Sequence, residues 1–345
     1  MIFKATPESL NMAATRLKLD DVVVFPTETV YGMGALALNE TGVQKIFTRK
    51  NRPHTNPLIV HVASVNHIFS VALVSKRNRR YLELLSSFIP GPLTVILPKH
   101  PCIPSITSGG HDTVAVRVPL HPVAQQLLHI VDAPIAAPSA NRSTYVSPTT
   151  AEHVEAEYGN DADLVIIDGG PCKVGIESTI ISLVGKENEE GSLNILRPGV
   201  ITAQQLSDAL GEPVLEPHQS AIKKFGRIAS PGDWTHLHYA PLTPLFLFEN
   251  LELTKGLIQP KNKDEAIVII NASDSSLVPV GFAEVRFLSL TGNFEEIAAS
   301  LFSVLRELDT LKLSKIFVEL CRPEGIGIAI RDRLNRAARR RDGTD

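Results

Sequence analysis

Two cations stand one residue apart in Lys50-Asn51-Arg52-Pro53, and Asn56-Pro57 follows just before an apolar run. Cations at a helix C-terminus are favoured by the macrodipole, so the pair alone reads equally well as solvated caps. The two prolines change the balance. They stiffen the loop and fix the directions of Arg52 and Asn56, as a pre-organised phosphate site requires. A second polar loop, Ala137-Pro138-Ser139-Ala140-Asn141, follows an apolar run and offers hydroxyl and amide groups. Together the two stretches describe a phosphate clamp facing a polar pocket. Pro26-Thr27-Glu28-Thr29-Val30-Tyr31-Gly32 has the same character directly after the run 22–25, and ligands of open α/β sheets sit at such strand ends.

Arg117 closes the apolar run Val114-Ala115-Val116. A buried arginine is costly unless paired, so either a protein carboxylate or an anionic ligand must answer it, and position alone does not choose. His61 closes the run Leu58-Ile59-Val60 and reads first as a satisfied core histidine. Glu177, Ser178 and Thr179 follow Gly169, Gly170 and Gly175, and Arg197 precedes Pro198-Gly199. Glycines let backbone approach a ligand closely, but they serve ordinary turns as well.

The elements that must position these groups alternate. Thr6 is a candidate N-cap with Pro7 at the first helical position, and Leu10, Ala13, Ala14 and Leu17 form one apolar face. Strands are expected at 22–25, 58–62, 93–97, 114–118, 135–137, 164–167 and 178–183, with helices near Val43 to Phe47, 123–130, 151–158 and 204–210. This predicts an α/β fold with a large twisted, mostly parallel or mixed sheet covered on both faces. From Gly211 the chain carries Pro213, Pro217, Pro231, Pro241 and Pro244 with few periodic apolar positions, the mark of a linker. Beyond it, strands at 245–248, 266–270, 286–290 and 316–320 and helices at 297–311 and 328–340 predict a second, smaller Rossmann-like α/β domain without a G-x-G-x-x-G fingerprint. The expected division is 1–210, a linker at 211–241, and 242–345, with the first sheet complete by residue 210.

Composition narrows the classes. With 345 residues, 43% hydrophobic and 21% charged, the chain is ordinary globular protein long enough for two domains, and its net charge of −3 confines any nucleic-acid contact to local patches. Three dispersed cysteines, Cys102, Cys172 and Cys321, fit neither a disulfide framework nor a zinc site. No Walker motif is present, which argues against a P-loop nucleotidase. Without an N-terminal apolar run or about 18 consecutive apolar residues, the expectation is a cytoplasmic protein without a membrane span.

Taken jointly, these segments resemble the YrdC-type threonylcarbamoyl-AMP synthase family in its long, two-domain form. The matching stretches include FPTETVYGMGA (25–35), KNRPHTNPLIVHV (50–62), DTVAVRVPLHP (112–122), PIAAPSANRS (134–143), DGGPCKVGIESTI (168–180) and LRPG (196–199). The family's lysine-x-arginine and serine-x-asparagine hallmarks stand here as Lys50/Arg52 and Ser139/Asn141. SPG (230–232), HYAP (238–241) and GIGIAIRDRLNRAA (325–338) are similar to its accessory part. The resemblance implies synthesis of threonylcarbamoyl-AMP and pyrophosphate from L-threonine, bicarbonate and ATP. It implies magnesium (Mg2+) carried on the triphosphate, and a downstream tRNA threonylcarbamoyl-transferase complex that modifies the adenosine beside the anticodon. By position in the motifs, Lys50, Arg52, Asn56, Thr113, Ser139, Asn141, Ser147 and Arg197 would serve ATP, with both cations of the clamp exposed to the site. Thr27, Tyr31, His61, Arg117 and Ser178 would serve threonine, and His238 and Tyr239 a lid. No residues are assigned to a protein-held metal. The linker departs from the family in Asp233 to Leu237, which carry no Lys or Arg.

Two rivals remain. An RNA-binding module of the same fold would use the basic stretch Arg331, Arg333, Arg336, Arg339, Arg340 and Arg341, which reads more simply as a solvated helix face. Weak tRNA or double-stranded RNA binding is the corresponding partner expectation. Carbamoyl transfer of the hydrogenase-maturation type would need acylphosphatase and paired zinc motifs, which this sequence lacks.

Overall fold

The structure, a computed structural model, describes residues 1–184, 193–217, 231 and 238–338. Thr6 and Ser9 cap each other's backbone N–H at the start of α1 (Pro7–Lys18), where Leu10, Ala13, Ala14 and Leu17 are buried. Strand β1 (Ile2–Lys4) precedes that helix, and β2 (Val23–Phe25), β3 (Gly32–Leu36), α2 (Glu40–Lys50) and β4 (Ile59–His61) follow it. Next come α3 (Lys76–Leu84), β5 (Leu93–Pro98), β6 (Thr113–Arg117), α4 (Pro122–Val131), β7 (Ile135–Ala136) and α5 (Ala151–Tyr158). The first unit ends with β8 (Val165–Asp168), β9 (Thr179–Ser182), β10 (Leu193–Arg197), α6 (Ala203–Leu210) and β11 (Val214–Leu215).

These strands form one 11-stranded sheet in the order β1-β8-β2-β3-β7-β4-β6-β5-β9-β10-β11. Half of its pairings are parallel and half antiparallel, so it is mixed rather than mostly parallel. One face packs Val24, Met33, Val60 and Val95 against Val43, Ile46 and Phe47 of α2. The other packs Val23, Phe25, Ile135 and Ile167 against α1 and α4. Burial on both faces is what the unbroken apolar runs required. Strand β3 escapes a sequence reading because its Gly-Met-Gly start looks like a turn. Its glycine is sterically demanded: a Cβ on Gly34 would stand 2.7 Å from both Ile135 and Phe25 side chains. Strand β11 is a second departure, since it adds a sheet strand inside the segment expected to be linker.

The second unit comprises β12 (Leu245–Phe248), α7 (Asn250–Thr254), β13 (Glu265–Asn271), β14 (Glu284–Ser289), α8 (Phe294–Thr310), β15 (Lys315–Glu319) and α9 (Ile326–Ala337). Its four strands are all parallel, in the order β12-β15-β13-β14. The two units share a core. Val30, Val146 and Ile176 of the first pack with Leu301, Phe302 and Leu334 of the second. At Gly175 (φ 77) an added Cβ would fall 2.4 Å from the Ala299 backbone of α8, so glycine permits the close approach. Among the described residues no helix is long and apolar enough to cross a membrane.

Candidate active site

Asn51 ends α2 in the left-handed conformation (φ 51), and this turn separates the two cations of the clamp. Lys50 stays on the helix, 1% exposed, and its ammonium donates to the carbonyls of Ser139 (2.6 Å) and Asn141. The expectation that it faces the site exposed is therefore corrected. It braces the serine-x-asparagine loop from behind, and burial, with Arg52's charge, pushes its pKa down to about 7. Arg52 leaves the helix and lines a pocket. Its Nη2 donates to Asn56 Oδ1 (2.6 Å) and Pro57 O (2.9 Å), which fixes the fork as the prolines suggested.

The same pocket is lined by Thr27, His61, Arg117, Ser139, Ser178, Arg197, His238 and Tyr239, so nine predicted site residues, with Arg52, converge. Six others do not reach it. Asn56 holds Arg52, while Asn141 donates Nδ2 to Arg142 O and Tyr145 O and accepts a bond from Ser139 Oγ. Tyr31 is buried with its hydroxyl on Gly170 O (2.8 Å), pinning the glycine turn rather than meeting a ligand. Ser147 is buried and donates to Glu177 Oε1 (2.5 Å). Thr113 starts β6, so about 13 Å of extended strand separates it from Arg117 at the other end. Lys50 is the sixth.

His61 and Arg117 are register partners on β4 and β6. Arg117, 4% exposed, meets the carboxylate alternative: its Nη2 lies 2.7 Å from Glu28 Oε1, and it donates to Thr29 Oγ1 (2.8 Å) and Gly91 O (3.2 Å). Burial works to raise the Glu28 pKa, but Arg117 and the Leu120 N–H bond outweigh it and the group is held below the usual carboxylate range. His61 is pushed down to about 3 by burial and by Arg117, and its Nδ1 has no hydrogen-bond partner among the described residues. Arg197 donates to Ser178 O and Ser178 Oγ, each at 3.0 Å, and burial lowers its pKa, like that of Arg52, only to about 10. Both arginines are charged at neutral pH.

Sequence reasoning assigned no role to Glu28 or Glu177. Each is an acidic residue in a polar loop after a buried strand, beside a residue that was selected, and that adjacency was the available signal. The sequence pattern puts Arg333 on a solvated helix face; in the structure it is 1% exposed and paired with Glu177 (2.9 Å). Arg336 is also buried and bonds Asp332, and Arg331 pairs with Glu249, so these three do not display a basic surface for RNA. Arg339 to Arg341 and the atypical Asp233 to Leu237 lie outside the described residues.

Comparison with known proteins fits this geometry. Residues 15–199 match the Sua5/YciO/YrdC family model, described as Telomere recombination, and residues 201–339 match the model described as Threonylcarbamoyl-AMP synthase, C-terminal domain. The threonylcarbamoyl-AMP synthase of Pyrococcus abyssi is 36% identical over 95% of this chain and 94% of its own length. That of Bacillus subtilis is 38% identical over 95% and 92%. The chain belongs to the threonylcarbamoyl-AMP synthase family. The crystal structure of P. abyssi Sua5 complexed with L-threonine superposes with a TM-score of 0.83 at 33% identity, covering 98% of this chain and 97% of that one. Escherichia coli YciO, at 20% identity and a TM-score of 0.51, shares the fold of the first unit. As a member of the long form of the synthase family, the chain carries in residues 201–339 a domain matching the family's own C-terminal model rather than hydrogenase-maturation modules.

Proposed function

We propose that this chain makes threonylcarbamoyl-AMP and pyrophosphate from L-threonine, bicarbonate and ATP. The observation that carries the reading is a single pocket in which Arg52, Arg197 and Ser139 share walls with Thr27, His61, Arg117 and Ser178. The threonine amine bonds to the bicarbonate carbon and a C–O bond breaks, one oxygen leaving as water with a proton from the amine, which gives a carbamate. One carbamate oxygen bonds to the α-phosphorus, and pyrophosphate departs with the electron pair of the broken P–O bond. The protein's part is positioning and charge neutralisation. Arg52 and Arg197 take the triphosphate oxygens, as pre-oriented cationic forks do best. Neutral His61 and the Ser178 hydroxyl offer hydrogen bonds rather than charge to the amino acid, while Thr27, whose hydroxyl donates to Val30 O (2.7 Å), shapes the wall.

Magnesium enters on the triphosphate as part of the substrate. Among the described residues no group of three His, Cys, Asp or Glu could hold a metal ion, and both carboxylates nearest the pocket are engaged, Glu28 by Arg117 and Glu177 by Arg333. Pro231, His238 and Tyr239 line the pocket from the linker, and their role in this reading is to close it and keep water from the carbamate. The product is an activated acyl donor, and its consumer in this reading is a tRNA threonylcarbamoyl-transferase complex. Pyrophosphate release measured with each substrate omitted in turn tests the reaction. Release must require both threonine and bicarbonate; release from ATP alone at the full rate would overturn the assignment.

A further inference from the structure

Two arginines of the second unit bond residues of the first, and one of them, Arg333, reaches the pocket wall. Arg306 on α8 donates to the carbonyls of Val146, Ser147 (3.3 Å) and His153 (3.2 Å) and pairs with Glu157. Arg333 on α9 donates Nε to Glu177 Oε2 (2.9 Å) and Nη1 to Pro198 O (2.8 Å), and its guanidinium carbon lies 5.3 Å from the centre of the Tyr239 ring. Glu177 is the only acidic side chain among the described residues that line the pocket. A carboxylate there opposes a triphosphate in two ways. It repels the phosphates, and it competes for the cations that should bind them. In the structure both of its oxygens are committed, one to Ser147 and one to Arg333, while Arg197 donates to Ser178.

We propose that Arg333 is a positioning residue for the nucleotide. By holding the Glu177 carboxylate in an ion pair across the boundary between the units, it leaves Arg52 and Arg197 to the triphosphate. ATP affinity then depends on docking of the second unit. This rests on the adenylate-forming reading above, so binding and turnover are measured separately.

The test is calorimetric titration of the full-length chain with a non-hydrolysable ATP analogue and, separately, with L-threonine. Arg333→Ala should weaken the analogue at least about tenfold while threonine affinity stays within about threefold, the range for one uncompensated charge beside a charged ligand. Arg333→Lys keeps a cation near Glu177 but loses the fork that also holds Pro198 O and lies over Tyr239, so it should bind the analogue more weakly than the parent and at least about threefold more tightly than Arg333→Ala. Arg333→Met with Glu177→Gln removes both charges and should recover at least about tenfold over Arg333→Ala. Equal losses for analogue and threonine, or a double variant no better than Arg333→Ala, would overturn the proposal. So would a parent chain that fails to bind the analogue. If Arg333→Ala does not fold, the other two variants decide, and weak analogue binding in both overturns it. A parent that binds the analogue in this Arg333-dependent way but releases no pyrophosphate with threonine would sink the adenylate reading and leave the Arg333 assignment standing.

Discussion

A chain ending at Leu210 should not fold as an independent unit. The expectation that the first sheet is complete by that residue fails twice: β11 at Val214–Leu215 would be deleted, and the core continues into the second unit. Val30, Val146 and Ile176 are at most 6% exposed and pack with α8 and α9 residues, so the cut returns them to water. At about 1.5–3 kcal/mol for each fully buried aliphatic side chain, the three together forfeit about 4–9 kcal/mol. Removal of Arg333 and Arg306 leaves Glu177 and Glu157 without their partners, and breaking one partner out of a buried pair typically costs about 3–5 kcal/mol, less where water now reaches the site. The sum rivals the whole stability of an ordinary domain, about 5–15 kcal/mol. Thermal unfolding followed by circular dichroism, with dye binding to exposed apolar surface, reads the result. The truncated chain should show no cooperative transition and strong dye binding. A cooperative melt within a few degrees of the full-length protein would refute the shared-core argument.

Further predictions concern single side chains. Arg52→Ala should weaken nucleotide binding at least about tenfold, and Asn56→Ala about threefold through the lost 2.6 Å bond that aims Arg52, with melting temperature changed little in both; a larger loss for Asn56→Ala than for Arg52→Ala would contradict the placement. Arg117→Leu leaves Glu28 buried and unpaired, so stability should fall by about 3–5 kcal/mol in denaturant titration, and adding Glu28→Gln should recover part of it. An unchanged midpoint would mean that Glu28 finds another partner. His61 has a folded pKa near 3, well below its unfolded value, so the native state binds fewer protons; its contribution is fully present above about pH 6.5 and fades as pH falls toward 3. Between pH 8 and pH 5 this amounts to about 2 kcal/mol, and His61→Gln should lose that much less stability over the same interval. Parallel acid profiles for parent and variant would show that His61 charges freely in the fold.

Much of this molecule was legible because its strands are short apolar runs ended by polar loops. Runs such as 93–97 and 114–118 can be buried only as interior strands, and ligands gather where such strands stop. Position marked Arg117, His61 and Ser178 without choosing between a core and a ligand role; the family motifs chose, and the structure sets all three with Arg52 and Ser139 on the same walls. What escaped was decided by contacts that one-dimensional spacing does not encode. Only Asn51 separates Lys50 from Arg52, yet its left-handed conformation sends one into the protein and the other into the pocket. Gly34 reads as a turn until Ile135 and Phe25 press against it from elsewhere in the chain.

Arg333 is the sharpest instance. Its spacing from Ile330 and Leu334 fits the polar side of an amphipathic helix, and an isolated α9 would indeed expose it. The helix is not isolated: α8 and α9 lie against the loops that hold Ser147 and Glu177, so a side chain assigned to solvent meets a carboxylate 156 positions earlier in the chain. A buried arginine fully desolvated on a helix needs such a partner. The pairing therefore explains at once why the helix face is charged and how a carboxylate can stand in the pocket wall, while the apolar contacts of Val30, Val146 and Ile176 with α8 and α9 hold the two units on one core.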